Sequence, residues 1–160
     1  MEVEEITKIL GELQARNITM KRNRKIECEI NGNTLKNVAQ ALYSKGARFI
    51  IIAAVDCGLE VELTYHFDLQ GTVVALKAKV PKENLEIESI IDIIPGAEWA
   101  EREARDLCGV KFIGGKEKSL VLPQDMPRET PPLAKPFRIL PREVAPVAEA
   151  IAAVGATAPM

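Results

Sequence analysis

From Leu59 to Val80 the chain alternates with a period of two on either side of a Gln70-Gly71 turn, and this restricts the possible folds more than any other feature. Leu59, Val61, Leu63, Tyr65 and Phe67 alternate with Glu60, Glu62, Thr64, His66 and Asp68. Beyond the turn, Val74, Leu76, Ala78 and Val80 alternate with Val73, Ala75, Lys77 and Lys79. A strand sends successive side chains to opposite faces, so both segments read as half-buried strands. The tight turn makes them antiparallel neighbours. Arg48 to Val55 is nearly all apolar and β-branched, which predicts a third strand buried on both faces, joined through a Cys57-Gly58 turn. The three strands predict an antiparallel meander whose apolar face must be covered by other elements.

Helical spacing supplies the cover. Val3, Ile6, Ile9, Leu10 and Leu13 share one face of a predicted N-terminal helix. Ile18 to Ile30 predicts two short strands around a basic tip, Met20 to Lys25, read as a solvated hairpin end. Asn31-Gly32-Asn33 turns, Asn33 or Thr34 caps, and Leu35, Val38, Ala39, Leu42 and Tyr43 follow at helical spacing up to Gly46. After Pro81, Asn84 is expected to cap a short helix through Ile87, Ile90, Ile91 and Ile94. A second helix is expected from Ala97 to Cys108, stopped by Gly109. From Met126 to Val147 the density of prolines (Pro127, Pro131, Pro132, Pro136, Pro141, Pro146) forbids a regular helix or ladder. Ala145 to Met160 is small and apolar, a loose helix or disorder. The expectation is an α+β class, an antiparallel or mixed β-sheet packed with helices over residues 1–123, then an extended Pro-rich tail over 124–160 that wraps a partner subunit.

Several chemistries are disfavoured. A net charge of −2 in 160 residues argues against nucleic acid as the main partner. The longest apolar run, Phe49 to Val55, is far short of a bilayer span, so membrane contact would come through a partner. Cys28, Cys57 and Cys108 are scattered and His66 is the sole histidine, too few ligands for an iron–sulfur cluster or structural zinc. They read as three buried apolar-like thiols in a reducing compartment. His66 falls on the polar face of its strand, a surface or rim histidine. Gly114-Gly115-Lys116 lacks the spacing of a phosphate loop and reads as a turn.

One segment stands apart. Glu98 to Gly114 holds the only tryptophan and a dense set of charges on the predicted second helix. Trp99, Arg102, Glu103, Asp106 and Val110 fall near one stripe. Glu98/Arg102, Glu101/Arg105 and Arg102/Asp106 are spaced for i,i+4 pairing, which on a surface contributes only ~0.3–0.5 kcal/mol per pair. Trp and Arg are favoured anchors at buried contacts. Three readings stay open from these residues: an interface helix, an ordinary amphipathic surface helix, or a small acid–base enzyme using Glu101, Glu103 or Asp106 with His66. A binding module for a soluble protein is a further class.

Trp99, Glu101-Arg102-Glu103, Asp106, Gly109-Val110, Phe112 and Gly114 together resemble the signature W-x-E-R-E-x-x-D-x-x-G-[IV]-x-F-x-G of the 30 kDa subunit family of respiratory complex I. Pro132-Leu133-Ala134-Lys135-Pro136-Phe137 resembles that family's Pro-Leu-Arg-Lys-Asp-Phe-Pro stretch, with Ala134 and Pro136 as departures. Leu120 to Pro123 resembles its apolar strand before an acidic turn. Gly115 to Ser119 replaces the usual His-Pro-Asp-Leu-Arg-Arg run and is shorter, a departure that fits the hydrogenase-type relatives better than the NADH:quinone ones.

The resemblance implies a non-catalytic, cofactor-free subunit on the cytoplasmic face of a membrane, held there by its partners. Those partners would be the large 49 kDa-like or hydrogenase-large-type subunit and a small cluster-bearing subunit. They would carry the iron–sulfur clusters and, in hydrogenase-type complexes, a nickel–iron centre. Docking would use the signature residues together with Pro132, Leu133, Lys135 and Phe137, the arm running from Met126 to Arg142. Trp99 would anchor the face, and Arg102, Glu103 and Asp106 would set register through buried ion pairs.

Overall fold

The computed structural model describes residues 3–21, 24–123 and 131–135. In chain order the elements are helix α1 (Val3–Glu12), strands β1 (Arg16–Lys21) and β2 (Lys25–Ile30), helix α2 (Leu35–Ser44), strands β3 (Arg48–Asp56), β4 (Glu60–Leu69), β5 (Thr72–Pro81) and β6 (Glu86–Glu88), helix α3 (Glu98–Cys108) and strand β7 (Lys111–Ile113). The main sheet has five strands in the order β1-β2-β5-β4-β3. The expected meander β3-β4-β5 is antiparallel throughout, with Tyr65 opposite Ile52 on one side and Leu76 on the other. The hairpin β1-β2 joins it by a parallel pairing of β2 with β5, so the sheet is mixed and the class is α+β. Strands β6 and β7 form a separate parallel pair.

Alternation decides which face is covered. Val61, Leu63, Tyr65, Phe67 and Leu69 of β4 are buried, as are Ile26, Cys28 and Ile30 of β2. They pack with Ile6 and Leu10 of α1, Leu35, Val38, Ala39 and Leu42 of α2, and Ala104 and Cys108 of α3 in one cluster. Each fully buried Leu, Ile or Phe contributes roughly 1.5–3 kcal/mol, so this face supplies most of the fold's driving force. The opposite face carries ions instead. Glu27 is paired with Lys21 and Lys25 at 2.8 Å each, and Lys77 lies 3.6 Å from the same carboxylate. His66 stands in that face, between Ile51 and Ala75 in the register.

Three expectations are corrected. Strand β3 is not buried on both faces: it is the sheet's edge, and Ile50, Ile51 and Val55 are each about half exposed (46, 47 and 53%). Its register shifts between Phe49 and Ile51, and no helix covers the face that Ile51 and Val55 share. The helix expected through Ile87 to Ile94 is instead strand β6 followed by a turn. The Ile90 amide donates to Glu101 Oε1 and the Ile91 amide to Ser89 Oγ, which leaves a single helical turn closed by Ile94 N–H to Ile90 O. Cys28 and Cys108 are buried, whereas Cys57 is exposed at the β3–β4 turn. At the start of α2, Thr34 occupies the cap position without a side-chain cap bond, and its hydroxyl donates to Asn31 O. Phe137 and most of the expected wrapping arm lie outside the described residues.

Candidate functional site: the tryptophan-bearing helix and its loop

Helix α3 starts behind Pro95 and places Glu98 and Glu101 in its first turn, where carboxylates complement the helix dipole. It ends as the sequence requires. Gly109 adopts φ +80°, and its N–H donates to Arg105 O. A Cβ there would also lie 2.8 Å from Pro131 Cγ, so glycine is demanded by conformation and by space. Val110 then packs fully buried, and Phe112 is buried on β7. Gly114, at φ +82°, turns the chain back over the helix.

The charged residues of α3 do not form one stripe facing outward. Glu101 is 2% exposed and accepts from Ser89 Oγ at 2.6 Å and the Ile90 amide at 2.8 Å. Burial raises its pKa above the usual carboxylate value, against the lowering effect of those two donors. Arg102 pairs with Glu98 at 3.1 Å, as its spacing suggests, and it also donates to Lys118 O and Ser119 O. Arg105 donates to the carbonyls of Lys116 and Glu117. Asp106 is 7% exposed and accepts from Ser119 Oγ and the amides of Leu120, Val121 and Leu122. Burial alone would raise its pKa. The donors from Val121, Ser119, Leu120 and Leu122 together outweigh that and hold it at about 2.

These side chains therefore act as a clamp on the main chain of 116–122. The two arginines collect carbonyls, and one carboxylate collects the amides that follow. Such charge-assisted bonds are about twice as strong as neutral ones, so the loop is fixed by backbone contacts and not by its own side chains. The signature members left facing out of α3 are Trp99, 69% exposed, and Glu103. Val121 and Leu133, each about half exposed, are tied beside them, the first through its amide to Asp106 and the second through its amide to Leu107 O. Pro132 is partly covered and Lys135 exposed on the same segment.

The arrangement holds no assembled acid–base site. Glu101 and Asp106 are spent on backbone and serine donors, Glu103 faces solvent, and His66 lies on the far face of the sheet among Lys25, Glu27 and Lys77. A 290 Å³ cleft beside the loop is lined by Glu86, Arg105, Lys111, Phe112 and Lys116. Its charges are already paired, Lys111 with Glu86 at 2.7 Å and Lys116 with Glu98 at 3.1 Å. Among the described residues no group of three or more His, Cys, Asp or Glu could hold a metal ion.

Sequence reasoning missed Asp56, Lys82, Ser89 and Ser119. Asp56, at the end of β3, accepts from Lys82 Nζ at 2.6 Å, from the Lys135 amide at 2.7 Å and from the Gly58 amide at 2.8 Å. Lys82, then the Lys135 and Gly58 amides, hold its pKa at about 2. An aspartate two residues before a glycine is a turn signal and could have been read as such.

Known proteins share this architecture and sequence. The profile of the family described as respiratory-chain NADH dehydrogenase, 30 Kd subunit, matches residues 28–143. A subunit of the F(420)H(2) dehydrogenase of Methanosarcina mazei is 39% identical over 89 residues, which is 54% of this chain and 56% of the relative. Hydrogenase-4 component G of Escherichia coli is 38% identical over 63 residues, 39% of this chain and 11% of the relative. The chain thus spans about half the length of the first and a small part of the second. A chain of the membrane-bound sulfane sulfur reductase, an archaeal respiratory membrane complex, has the same fold, with a TM-score of 0.75 over 98% of this chain and 93% of that chain at 24% identity. The match runs through β2 to β7 and includes the whole clamp, and the chain belongs to the family of the respiratory-chain NADH dehydrogenase 30 kDa subunit.

Proposed function

We propose that this chain is a non-catalytic structural subunit of a multisubunit membrane-bound redox complex of the energy-converting hydrogenase type. It docks on the large, 49 kDa-like or hydrogenase-large-type subunit and keeps the peripheral electron-transfer module rigid. The reading rests on one observation. The charged signature residues are consumed in folding their own loop, while the sole tryptophan is left 69% exposed beside Glu103, Val121 and Leu133. An exposed Trp with apolar neighbours on a rigid frame is the composition of an interface anchor.

Register would then be set by the shape of the clamped loop, with Arg102 and Asp106 acting through it. Electrons would pass through clusters held by the partner subunits. No helix among the described residues is long and apolar enough to cross a membrane, and attachment to the cytoplasmic face would come through those partners. The kinship with a hydrogenase component and the altered run Gly115 to Ser119 support the hydrogenase type. The 39% identity to a dehydrogenase subunit supports a second reading, the equivalent place in a quinone- or sulfur-reducing oxidoreductase.

The test is Trp99→Ala, introduced into the intact operon with an affinity tag on the large subunit. Loss of a central Trp anchor costs about 2 kcal/mol or more, so recovery of this chain with the large subunit should fall roughly thirtyfold on dilution. The isolated variant should keep its circular dichroism. Full recovery of Trp99→Ala in the complex rejects the docking face.

A further inference from the structure

The corner where β3 turns into β4 is built as a platform. Asp56 is 4% exposed and closes three chain segments on one carboxylate. Its Oδ1 accepts from the Gly58 amide within the turn, and its Oδ2 accepts from Lys82 Nζ beyond β5 and from the Lys135 amide. Lys82 Nζ also donates to Lys135 O at 3.3 Å. The turn is tied again through Cys57 N–H to Glu60 O and through Lys82 N–H to Leu59 O. The main chain at this corner is therefore fixed on every side. The segment 131–135 is fixed with it, through Leu133 N–H to Leu107 O and the contact of Pro131 with Gly109.

On that frame the apolar side chains point away from the protein. Leu59 is 90% exposed, and Val55 and Leu133 are each 53% exposed. A tight turn has no need of leucine for its conformation, since Asp56 and Gly58 already supply the turn chemistry. Nothing in the core uses Leu59 either. The position of the corner says what covers it. Lys135 is the last described residue, and residues 136–160 continue from this point. The segment that carries the chain off the domain is latched to the same carboxylate that holds the turn, and it is joined through Leu107 to α3.

We infer that the β3–β4 corner, with Leu59 at its tip and Val55 and Leu133 beside it, is a second contact with the large subunit. Asp56 latches the root of the C-terminal arm onto that contact before the partner arrives. This rests on the docking reading above and adds a surface to it, on a different element from Trp99. The partner surface it fits is an apolar depression on the polypeptide along which the arm runs. Pre-forming the root removes ordering cost from association.

The experiment uses the full chain in its complex, with Leu59→Asp and Leu59→Gln compared with Trp99→Ala, and hydrogen exchange on each lone chain. Leu59 is outside the core, so Tyr65 and Leu76 amides should stay protected in both Leu59 variants. Recovery with the tagged large subunit should fall about tenfold for Leu59→Asp and less for Leu59→Gln. Asp56→Asn should speed exchange at the Leu133 and Lys135 amides and weaken recovery in parallel. If Leu59→Asp is recovered like the parent while Trp99→Ala is lost, the corner is not a contact and the docking reading survives. If neither variant loses the partner, both fail. Unchanged exchange at Leu133 and Lys135 in Asp56→Asn overturns the latch.

Discussion

At the scale of the residue, Asp106 shows how a family signature can be structural in each protein before it is anything else. Its carboxylate gathers four donors from Ser119 to Leu122, and its pKa of about 2 lies below the ordinary 3.8. A depressed carboxylate pKa contributes stability that is present above about 4 and lost as pH falls through about 2. We expect Asp106→Asn to cost about 2 kcal/mol at neutral pH in urea denaturation, and to flatten the acid limb of the stability curve over that window. Fast hydrogen exchange at the Leu120 and Val121 amides should accompany it. The identity of this residue was legible in the sequence and its partners were not. Spacing suggested Arg102/Asp106 and Glu101/Arg105 pairs, because i,i+4 geometry is all that a helical sequence displays. The carbonyls and amides of 116–122 compete for the same side chains, and main-chain groups leave no trace in residue types.

Among the elements, legibility followed burial. Strands β4 and β5 were readable because one face is packed and the other solvated, so period two survives in their sequences. Strand β3 was misplaced because an apolar β-branched run has the same composition in a central strand and at an edge with an uncovered apolar side. Ile87, Ile90, Ile91 and Ile94 fit helical spacing, yet three residues pair as β6 and Glu101 takes the amide of Ile90. A buried carboxylate 11 residues downstream is invisible to a local pattern. The end of α3 was predictable, and it offers a test. Gly109→Ala meets both a positive φ and a Cβ contact of 2.8 Å with Pro131. We expect a loss of more than ~1 kcal/mol in thermal denaturation, with faster exchange at the Leu133 amide as the 131–135 segment shifts.

For the molecule as a whole, the fold separates its labours by face. One side of the sheet is core, the other is a lattice of ion pairs around Glu27, and α3 with its clamped loop forms a third surface at the β3 edge. That surface and the Asp56 corner lie on connected elements, which suits a subunit that stiffens a neighbour over an extended contact and performs no chemistry of its own. The most direct measurement is hydroxyl-radical footprinting of Trp99, read by mass spectrometry in the native membrane complex and in the isolated chain. The account predicts rapid oxidation of Trp99 in the isolated chain and near-complete protection in the complex. Equal oxidation in both would mean the tryptophan faces water in the working assembly, and the docking role would be wrong.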